Sequence, residues 1–377
     1  MPDTHRVLLG GLTPATFLRT HWQKQARLVR GAMPGFTGMF DRASLEKLAQ
    51  RDDVESRLIV STRGRFTLAH GPFRRADFRA LPARGWTLLV QGLNLHSDAA
   101  DALLRRFAFI PFARLDDVMA SFAVPAGGVG PHVDSYDVFL LQGFGRRRWR
   151  YGRQRDLTLV EGLPLKILQR FVPTHDAILE PGDMLYVPPD YAHDGTAVDE
   201  CTTYSIGFRA ETAQALGERF LDFLRDALRL DGRYGDPDLT PASEPARIDE
   251  RMRKRMATML ERIRWDETVV ARFLGCSLSE PEPTVVFDPP TPALSAAAFA
   301  RRIAVNGVAL DRRALLLYDD ARFYVNGSEI AAPAGSRRAL RTLANERRLS
   351  ARTCARLSDG TLKLLHSWYR DGFVAPA

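Results

Sequence analysis

The chain has little cysteine and no long apolar run, and each shortage excludes a class of protein. Its three cysteines, an odd number far apart in sequence, fit neither a disulfide framework nor a cysteine-based zinc site. No run of 18 apolar residues occurs, so the sequence predicts no transmembrane helix. The first residues contain only a short apolar run, too short for the core of a signal peptide, so we expect a cytoplasmic protein without a membrane partner.

Acidic residues are outnumbered by basic ones, 45 against 53, which gives a formal net charge of +8 supplied almost entirely by arginine. Such an excess favours an anionic partner, for example nucleic acid or a ribonucleoprotein. A charge of this size also serves solubility alone. Apolar residues are 45% and charged residues 26%, which excludes a disordered chain or a coiled-coil rod, and 377 residues suit two or three domains.

Turn residues and hydrophobic spacing divide the chain into regions. Helices are predicted to begin at Thr13-Pro14 and near Ser44, and residues 57–208 then contain many short strands separated by Gly and Pro turns, which is typical of a sandwich or barrel. One such turn is predicted at residues 63–64. Helical spacing returns after Arg209, a five-proline linker occupies residues 281–295, and an α+β segment follows.

The strongest chemical signal is His132 and Asp134, two residues apart on a predicted strand. Alternate residues of a strand point to the same face, so an imidazole and a carboxylate project together. A third ligand is needed, and His96, His175 and His193 are available; we favour His193, which follows a strand and a Pro-Pro turn. Two histidines and one carboxylate form the facial triad of non-haem Fe(II) oxygenases, whereas zinc prefers a fuller His/Cys set.

Arg147 strengthens the metal hypothesis. It lies fifteen residues after His132, beyond a Gly-Phe-Gly turn, and an antiparallel hairpin would return it to the depth of the metal pair. Period-2 alternation puts it on the same face as Trp149 and its arginine neighbours on the other face. A cation inside a barrel needs an anion, and a dicarboxylate such as 2-oxoglutarate could bind a metal at one end and a guanidinium at the other.

These segments resemble the JmjC-type 2-oxoglutarate oxygenases. Within that class, GGVGPHVDSYDVFLLQGFGRRRWR, EPGDMLYVPPDYAHDG and YSIGFRAET are most similar to the bacterial ribosomal oxygenases that hydroxylate an arginine of ribosomal protein uL16. The resemblance implies a mainly β, α+β fold. It implies a double-stranded β-helix of the jelly-roll, cupin type in residues 1–210, a helical dimerisation region in 211–280 and a winged-helix-like domain in 296–377.

The resemblance also implies roles for single residues, with Fe(II) as the metal and 2-oxoglutarate and O₂ as co-substrates. Arg147 would bind the distal carboxylate of 2-oxoglutarate, and Ser121 matches a position near it. Tyr136 and Asp137 stand near the predicted mouth and could meet a cationic substrate side chain; a stacked tyrosine and a turn-capping aspartate are the ordinary alternative. The implied Fe(II) ligands are His132, Asp134 and His193.

Several alternatives remain open at this point. The substrate could be another protein residue, a tRNA base or an N-methyl group, because loops that the sequence does not define select it. The chain could also be a metal-free cupin-like protein that binds ribosomes or nucleic acid. The segment RIDERMRKRMATMLERIRW is predicted to form a helix of a homodimer or to contact nucleic acid, and RRALRTLANERR invites a DNA-binding interpretation.

Overall fold

The computed structural model describes residues 2–62 and 65–377. The predicted turn at residues 63–64 lies outside the described residues. Helix α2 begins as predicted, with the Thr13 hydroxyl accepting a hydrogen bond from the amide of Thr16 at 3.2 Å and proline in the first turn. The helices that surround the β core are α1 (Pro2–Leu8), α2 (Pro14–Thr20), α3 (Arg42–Leu48), α4 (Arg75–Arg79), α5 (Leu93–His96) and α6 (Asp98–Arg105).

Antiparallel strands follow one another through the first 208 residues. They are β1 (Arg27–Val29), β2 (Ser56–Thr62), β3 (Arg65–His70), β4 (Trp86–Val90), β5 (Leu115–Ala123), β6 (His132–Val133), β7 (Val138–Gln142), β8 (Arg147–Arg153), β9 (His175–Leu179), β10 (Met184–Val187), β11 (Tyr191–Ala197) and β12 (Cys201–Phe208). The larger sheet has the order β1-β10-β7-β12-β5-β4-β2-β3, and the smaller sheet has the order β6-β11-β8-β9.

The two sheets face each other, and β7 shows how they divide the core. Val138 and Leu140 point between the sheets, where they belong to one buried cluster with Trp149 of β8. Phe139 and Leu141 point the opposite way, into the core shared with the helices. A strand covered on both faces is apolar throughout, which explains the continuous run VFLLQ. The interior between the sheets opens into the cavity described below.

Two strand predictions in this region were wrong. HVDSYDVFLLQ is not one strand: β6 belongs to the smaller sheet and β7 to the larger sheet. Consequently β7 and β8 do not form the predicted hairpin, because β7 pairs with β10 and β12, whereas β8 pairs with β9 and β11. The turn between them crosses from one sheet to the other at Gly145, where a Cβ atom would lie 2.0 Å from the Glu200 carbonyl oxygen.

The residues around His193, which the sequence placed after a strand and a Pro-Pro turn, form strand β11, which pairs with β8 over its whole length. The Pro-Pro turn ends at Asp190, whose φ is +67°, and the chain then becomes extended. The polar composition of this strand concealed it: His193 points into the cavity, and Asp194 on the opposite face forms an ion pair with Arg150. His193 therefore lies within a strand and not in the loop after one.

Helices α7 (Ala213–Ala227), α8 (Glu250–Leu260) and α9 (Glu267–Ser279) follow the β core, and residues 281–295 contain no helix or strand. The C-terminal segment has its own buried core, which includes Phe299, Leu343 and Trp368. Within the described ranges no helix is long and apolar enough to cross a membrane. The remaining elements are α10 (Ala296–Asn306), β13 (Val308–Leu310), β14 (Leu316–Tyr318), β15 (Phe323–Val325), β16 (Ser328–Ile330), α11 (Arg337–Glu346), β17 (Arg348–Leu349), α12 (Ala351–Cys354), α13 (Asp359–Arg370) and β18 (Val374–Pro376).

Candidate active site

A cavity of about 500 Å³ opens between the two sheets. Strands of both sheets line it: β5 and β12 from the larger sheet, and β6, β8 and β11 from the smaller one. His132, Asp134, Arg147 and His193 all face this one space. Ser121, the residue that sequence similarity placed near the co-substrate, lines it too.

His132, Asp134 and His193 form a compact cluster whose ligand atoms lie within 4.8 Å of one another. The register of β6 against β11 sets His132 directly opposite His193. Asp134 is the first residue after β6, and its carboxylate lies close to both imidazoles. The Nε2 atom of His132 lies 3.7 Å from Oδ1 of Asp134, and Nε2 of His193 lies 3.6 Å from Oδ2. Cross-strand pairing thus joins a local sequence pair to a distant histidine.

Both imidazoles are oriented by backbone carbonyls. Nδ1 of His132 lies 2.8 Å from the Gly130 carbonyl oxygen, and Nδ1 of His193 lies 3.3 Å from the Tyr191 carbonyl oxygen. A carbonyl only accepts, so each Nδ1 donates and each Nε2 keeps its lone pair for the centre of the cluster. Burial, and then the neighbouring His132 ring, lower the pKa of His193 to about 4, so this ring is neutral at pH 7, as a metal ligand must be.

The other two candidate histidines lie elsewhere. His175 stacks on the Tyr151 ring with centroids 4.8 Å apart, on the outer part of β9. His96 ends α5 and lines a neighbouring cleft. Among the described residues, the His132, Asp134 and His193 cluster is the one group of three or more His, Cys, Asp or Glu side chains with metal-binding geometry.

Arg147 is buried, with 3% of its surface exposed, yet its guanidinium is only partly satisfied. Nη1 donates to the Ser121 hydroxyl at 2.8 Å, while Nε and Nη2 have no hydrogen-bond partner among the described residues. A buried cation with free donors is costly unless an anion completes it. A cation here and a His/Asp/His cluster in the same cavity fit a molecule with a carboxylate at each end, such as 2-oxoglutarate.

The neighbours of Arg147 follow the predicted alternation. Trp149 shares its inward face, and its ring centroid lies 5.8 Å from that of His193. Arg148 points outward and pairs with Asp176, and Arg150 pairs with Asp194 at 2.5 Å. These outward arginines are neutralised at the surface, and Arg147 is not.

The two residues expected to meet the substrate are separated in the structure. Tyr136 lines the cavity and is 39% exposed. Asp137 is fully buried outside it: Oδ1 accepts a hydrogen bond from the Tyr186 hydroxyl at 2.5 Å, and Oδ2 accepts one from Nε2 of Gln23 at 3.0 Å. The structure therefore does not bring Asp137 to the mouth, because its carboxylate ties the start of β7 to the N-terminal segment.

Asp117, a carboxylate in the cavity wall, was not among the site residues predicted from the sequence. The alternation on β5 that turns Ser121 inward also turns Asp117 and Met119 inward, so the signal was present in LDDVMASFA. Oδ2 of Asp117 accepts a hydrogen bond from the Gly92 amide at 3.0 Å. Burial raises the pKa of Asp117 to about 7, and no arginine or lysine forms an ion pair with it among the described residues.

Similarity to known proteins identifies the family. Residues 102–216 match the JmjC domain, and residues 262–375 match the ROXA-like winged helix. The chain is 36% identical over 343 residues to the ribosomal protein uL16 3-hydroxylase of Escherichia coli strain K12, which covers 89% of each protein. The chain belongs to the JmjC-type ribosomal oxygenases.

The fold of this ribosomal oxygenase is similar to that of solved structures over nearly its whole length. The X-ray structure of E. coli YcfD matches with a TM-score of 0.85 and 31% identity, covering 97% of this chain and 98% of that one. YcfD in complex with cobalt and 2-oxoglutarate matches with a TM-score of 0.81, 32% identity and the same coverage. The predicted cupin-like β core and C-terminal winged helix are confirmed, and the protein is an oxygenase.

Proposed function

We propose that this chain is an Fe(II)- and 2-oxoglutarate-dependent hydroxylase of an arginine side chain in ribosomal protein uL16, acting in the cytoplasm. The observation that carries the proposal is the incompletely bonded guanidinium of Arg147 in the same cavity as the His/Asp/His cluster. A cupin-like protein that only binds ribosomes has no need for a buried cation beside three potential metal ligands. The uL16 3-hydroxylase of E. coli supports the choice of substrate.

The residues of the cavity have different roles in binding the metal and the co-substrate. When bound, Fe(II) and 2-oxoglutarate supply the oxidation, in which O₂ and the co-substrate yield succinate and CO₂ while a substrate C–H bond becomes C–OH. Arg147 would hold the distal carboxylate of 2-oxoglutarate with its free Nε and Nη2 donors, while the Ser121 hydroxyl accepts from Nη1 and so orients the guanidinium. The flanking ring of Trp149 excludes water. The residues that would hold Fe(II) are His132, Asp134 and His193.

Asp117 provides the charge that an arginine substrate requires. Its ionised carboxylate can accept two hydrogen bonds from a guanidinium, and its position in the wall orients the side chain toward the metal cluster. Tyr136 lies at the same opening and offers a ring face for the cation. In our proposal Asp117, and not Asp137 as the sequence suggested, contacts the cationic substrate side chain.

We also propose a homodimer formed through the helical region, residues 211–280. The helices and loop of this region expose large apolar side chains that no other described part of the chain covers. Their exposed fractions are 64% for Leu221, 69% for Leu239, 68% for Ile248 and 64% for Leu260. A second copy would cover such a surface. The domain limits 1–210, 211–280, 281–295 and 296–377 remain part of the proposal.

Mass spectrometry of intact ribosomal proteins tests this function. The proteins are incubated with the enzyme, Fe(II), 2-oxoglutarate and O₂, and we expect a gain of one oxygen atom on uL16 alone. His132→Ala should abolish the gain, whereas His175→Ala, which changes a histidine outside the cluster, should preserve it. Turnover of 2-oxoglutarate with the oxygen found on another molecule would contradict uL16 as the substrate. The absence of both succinate and hydroxylated product would contradict the proposed hydroxylase activity.

A further inference from the structure

The positive charge of the chain is concentrated in its C-terminal domain. Residues 296–377 contain 14 arginines and lysines against 7 aspartates and glutamates, which is +7 of the formal +8. The other 295 residues are therefore close to neutral. Since charge that served solubility alone would be spread over the whole surface, this concentration points to a binding surface on one domain.

Part of this charge lies on one face of α11. Arg337, Arg338, Arg341 and Asn345 are exposed there, and Tyr318 of β14 stands beside them with 37% of its surface exposed. We call these five residues the α11 patch. Arg337, Arg338, Arg341 and Asn345 line one shallow groove, which Glu346 closes at the far end. No carboxylate forms an ion pair with the three arginines in the part of the chain that the structure describes.

Two arginines of the α11 patch, Arg337 and Arg341, are held by groups that leave their charge unneutralised. Arg337 donates to the carbonyl oxygens of Ala321 at 2.9 Å and Asp320 at 2.5 Å. The Arg341 guanidinium lies 5.4 Å from the centroid of the Tyr318 ring, and the Tyr318 hydroxyl accepts a hydrogen bond from Nδ2 of Asn345 at 2.8 Å. Carbonyls and ring faces orient the guanidinium groups, which reduces the entropy lost when they bind an anion.

We propose that the α11 patch binds the phosphate backbone of structured RNA. Arginine forks match phosphate oxygens, and an aromatic ring beside them offers a surface on which a base can stack. The choice of RNA rests on the proposed function, because ribosomal proteins assemble on RNA. The charges of the last helix also favour RNA over a DNA duplex. The exposed charges on α13 and at its C-terminal end sum to zero, from Asp359, Lys363, Arg370 and Asp371. Helix α13 therefore lacks the basic surface of a helix that binds in the major groove.

Fluorescence anisotropy of the full chain with a labelled RNA hairpin of about 30 nucleotides tests the proposal, measured over a series of salt concentrations. R337Q/R338Q/R341Q should weaken binding by about tenfold or more near 100 mM salt and reduce the magnitude of the slope of log K against log salt by about 2 to 3, since each of the three lost phosphate contacts accounts for about 0.7–0.9 of the slope. The matched control R75Q/R79Q/R84Q removes three exposed arginines of the β domain and should leave both quantities close to those of the unchanged protein.

Three results would overturn the proposal: equal loss in both triple variants, equal binding of a DNA duplex of the same length, or displacement of the RNA by polyglutamate at equal charge. The failure of the proposed function is separable from these results. Hydroxylation of free uL16 should be the same in R337Q/R338Q/R341Q as in the unchanged protein, since the α11 patch holds none of the residues that line the cavity. If the chain bound RNA but did not hydroxylate uL16, the proposed role of the α11 patch would stand and the proposed substrate would be rejected.

Discussion

Arg147 and Arg148 are adjacent and have opposite surroundings, which makes them a matched pair. Arg147 lies in the cavity with two unbonded groups, whereas Arg148 is exposed and paired with Asp176. Hydrogen bonds between a guanidinium and a carboxylate contribute about 1.5–3 kcal/mol, equivalent to a factor of about 10–100 in affinity. We expect Arg147→Ala to raise the KM for 2-oxoglutarate by that factor and Arg148→Ala to leave it unchanged, as measured by succinate formation. An unaltered KM in Arg147→Ala would remove this arginine from the co-substrate site.

The carboxylate of Asp117 should make substrate binding depend on pH. Because burial raises its pKa to about 7, the group keeps its proton at lower pH and binds a guanidinium only once ionised. The KM for a uL16 peptide should therefore fall as the pH rises through about 7. Asp117→Asn should raise the KM and flatten this dependence, which steady-state kinetics from about pH 6 to pH 8 would measure.

Asp137→Asn is the informative comparison. This carboxylate bonds to Tyr186 and Gln23 and not to the cavity, so its replacement should lower thermal stability while the pH dependence of KM persists. The loss of one partner of a buried hydrogen bond costs about 1–3 kcal/mol. If Asp137→Asn flattened the pH profile and Asp117→Asn did not, our assignment of the substrate carboxylate would be reversed.

Strands β6 and β11 bring His132 and His193 together, and helices α7 and α8 carry exposed leucines at the proposed dimer surface. Leu221 lies on α7 and Leu260 on α8, each 64% exposed. Burial of a leucine side chain contributes about 1.5–3 kcal/mol, so charges at both positions in both copies should abolish a dimer. We expect L221E/L260E to sediment as a monomer, while Val305→Glu on α10, where the side chain is 76% exposed, should not alter the sedimentation coefficient. A monomeric unchanged protein would exclude the dimer.

At the scale of the whole molecule, the largest hydrophobic core of the β domain is separate from that of the C-terminal domain. Leu88 and Leu343 are each fully buried in one of them. A leucine-to-alanine substitution in a core costs about 2–5 kcal/mol. We expect calorimetry to show two unfolding transitions. Leu343→Ala should lower the midpoint temperature of one of them, and Leu88→Ala should lower that of the other. A single transition that both variants shift equally would mean that the cores unfold as one unit.

The sequence predicted much of the site because some relations are local. Only one residue separates His132 from Asp134, so their proximity needs no tertiary information. On β8, strand alternation separated Arg147 from Arg148 correctly. It also contained the signal for Asp117, which shares the inner face of β5 with Ser121. Wherever one strand's own geometry determines which way a side chain points, the pattern of residues is sufficient.

Tertiary structure alone decided which strands pair and which carboxylate lines the cavity. The apolar pattern of β7 and β8 suits a hairpin, but burial on both faces of β7 commits it to β10 and β12. The meeting of His132 with His193 depends on the register between two strands far apart in the chain. Asp137 turned away from the cavity because Tyr186 and Gln23, distant in sequence, bond to it. Long-range pairing is set by the burial of the whole core, which no local spacing encodes.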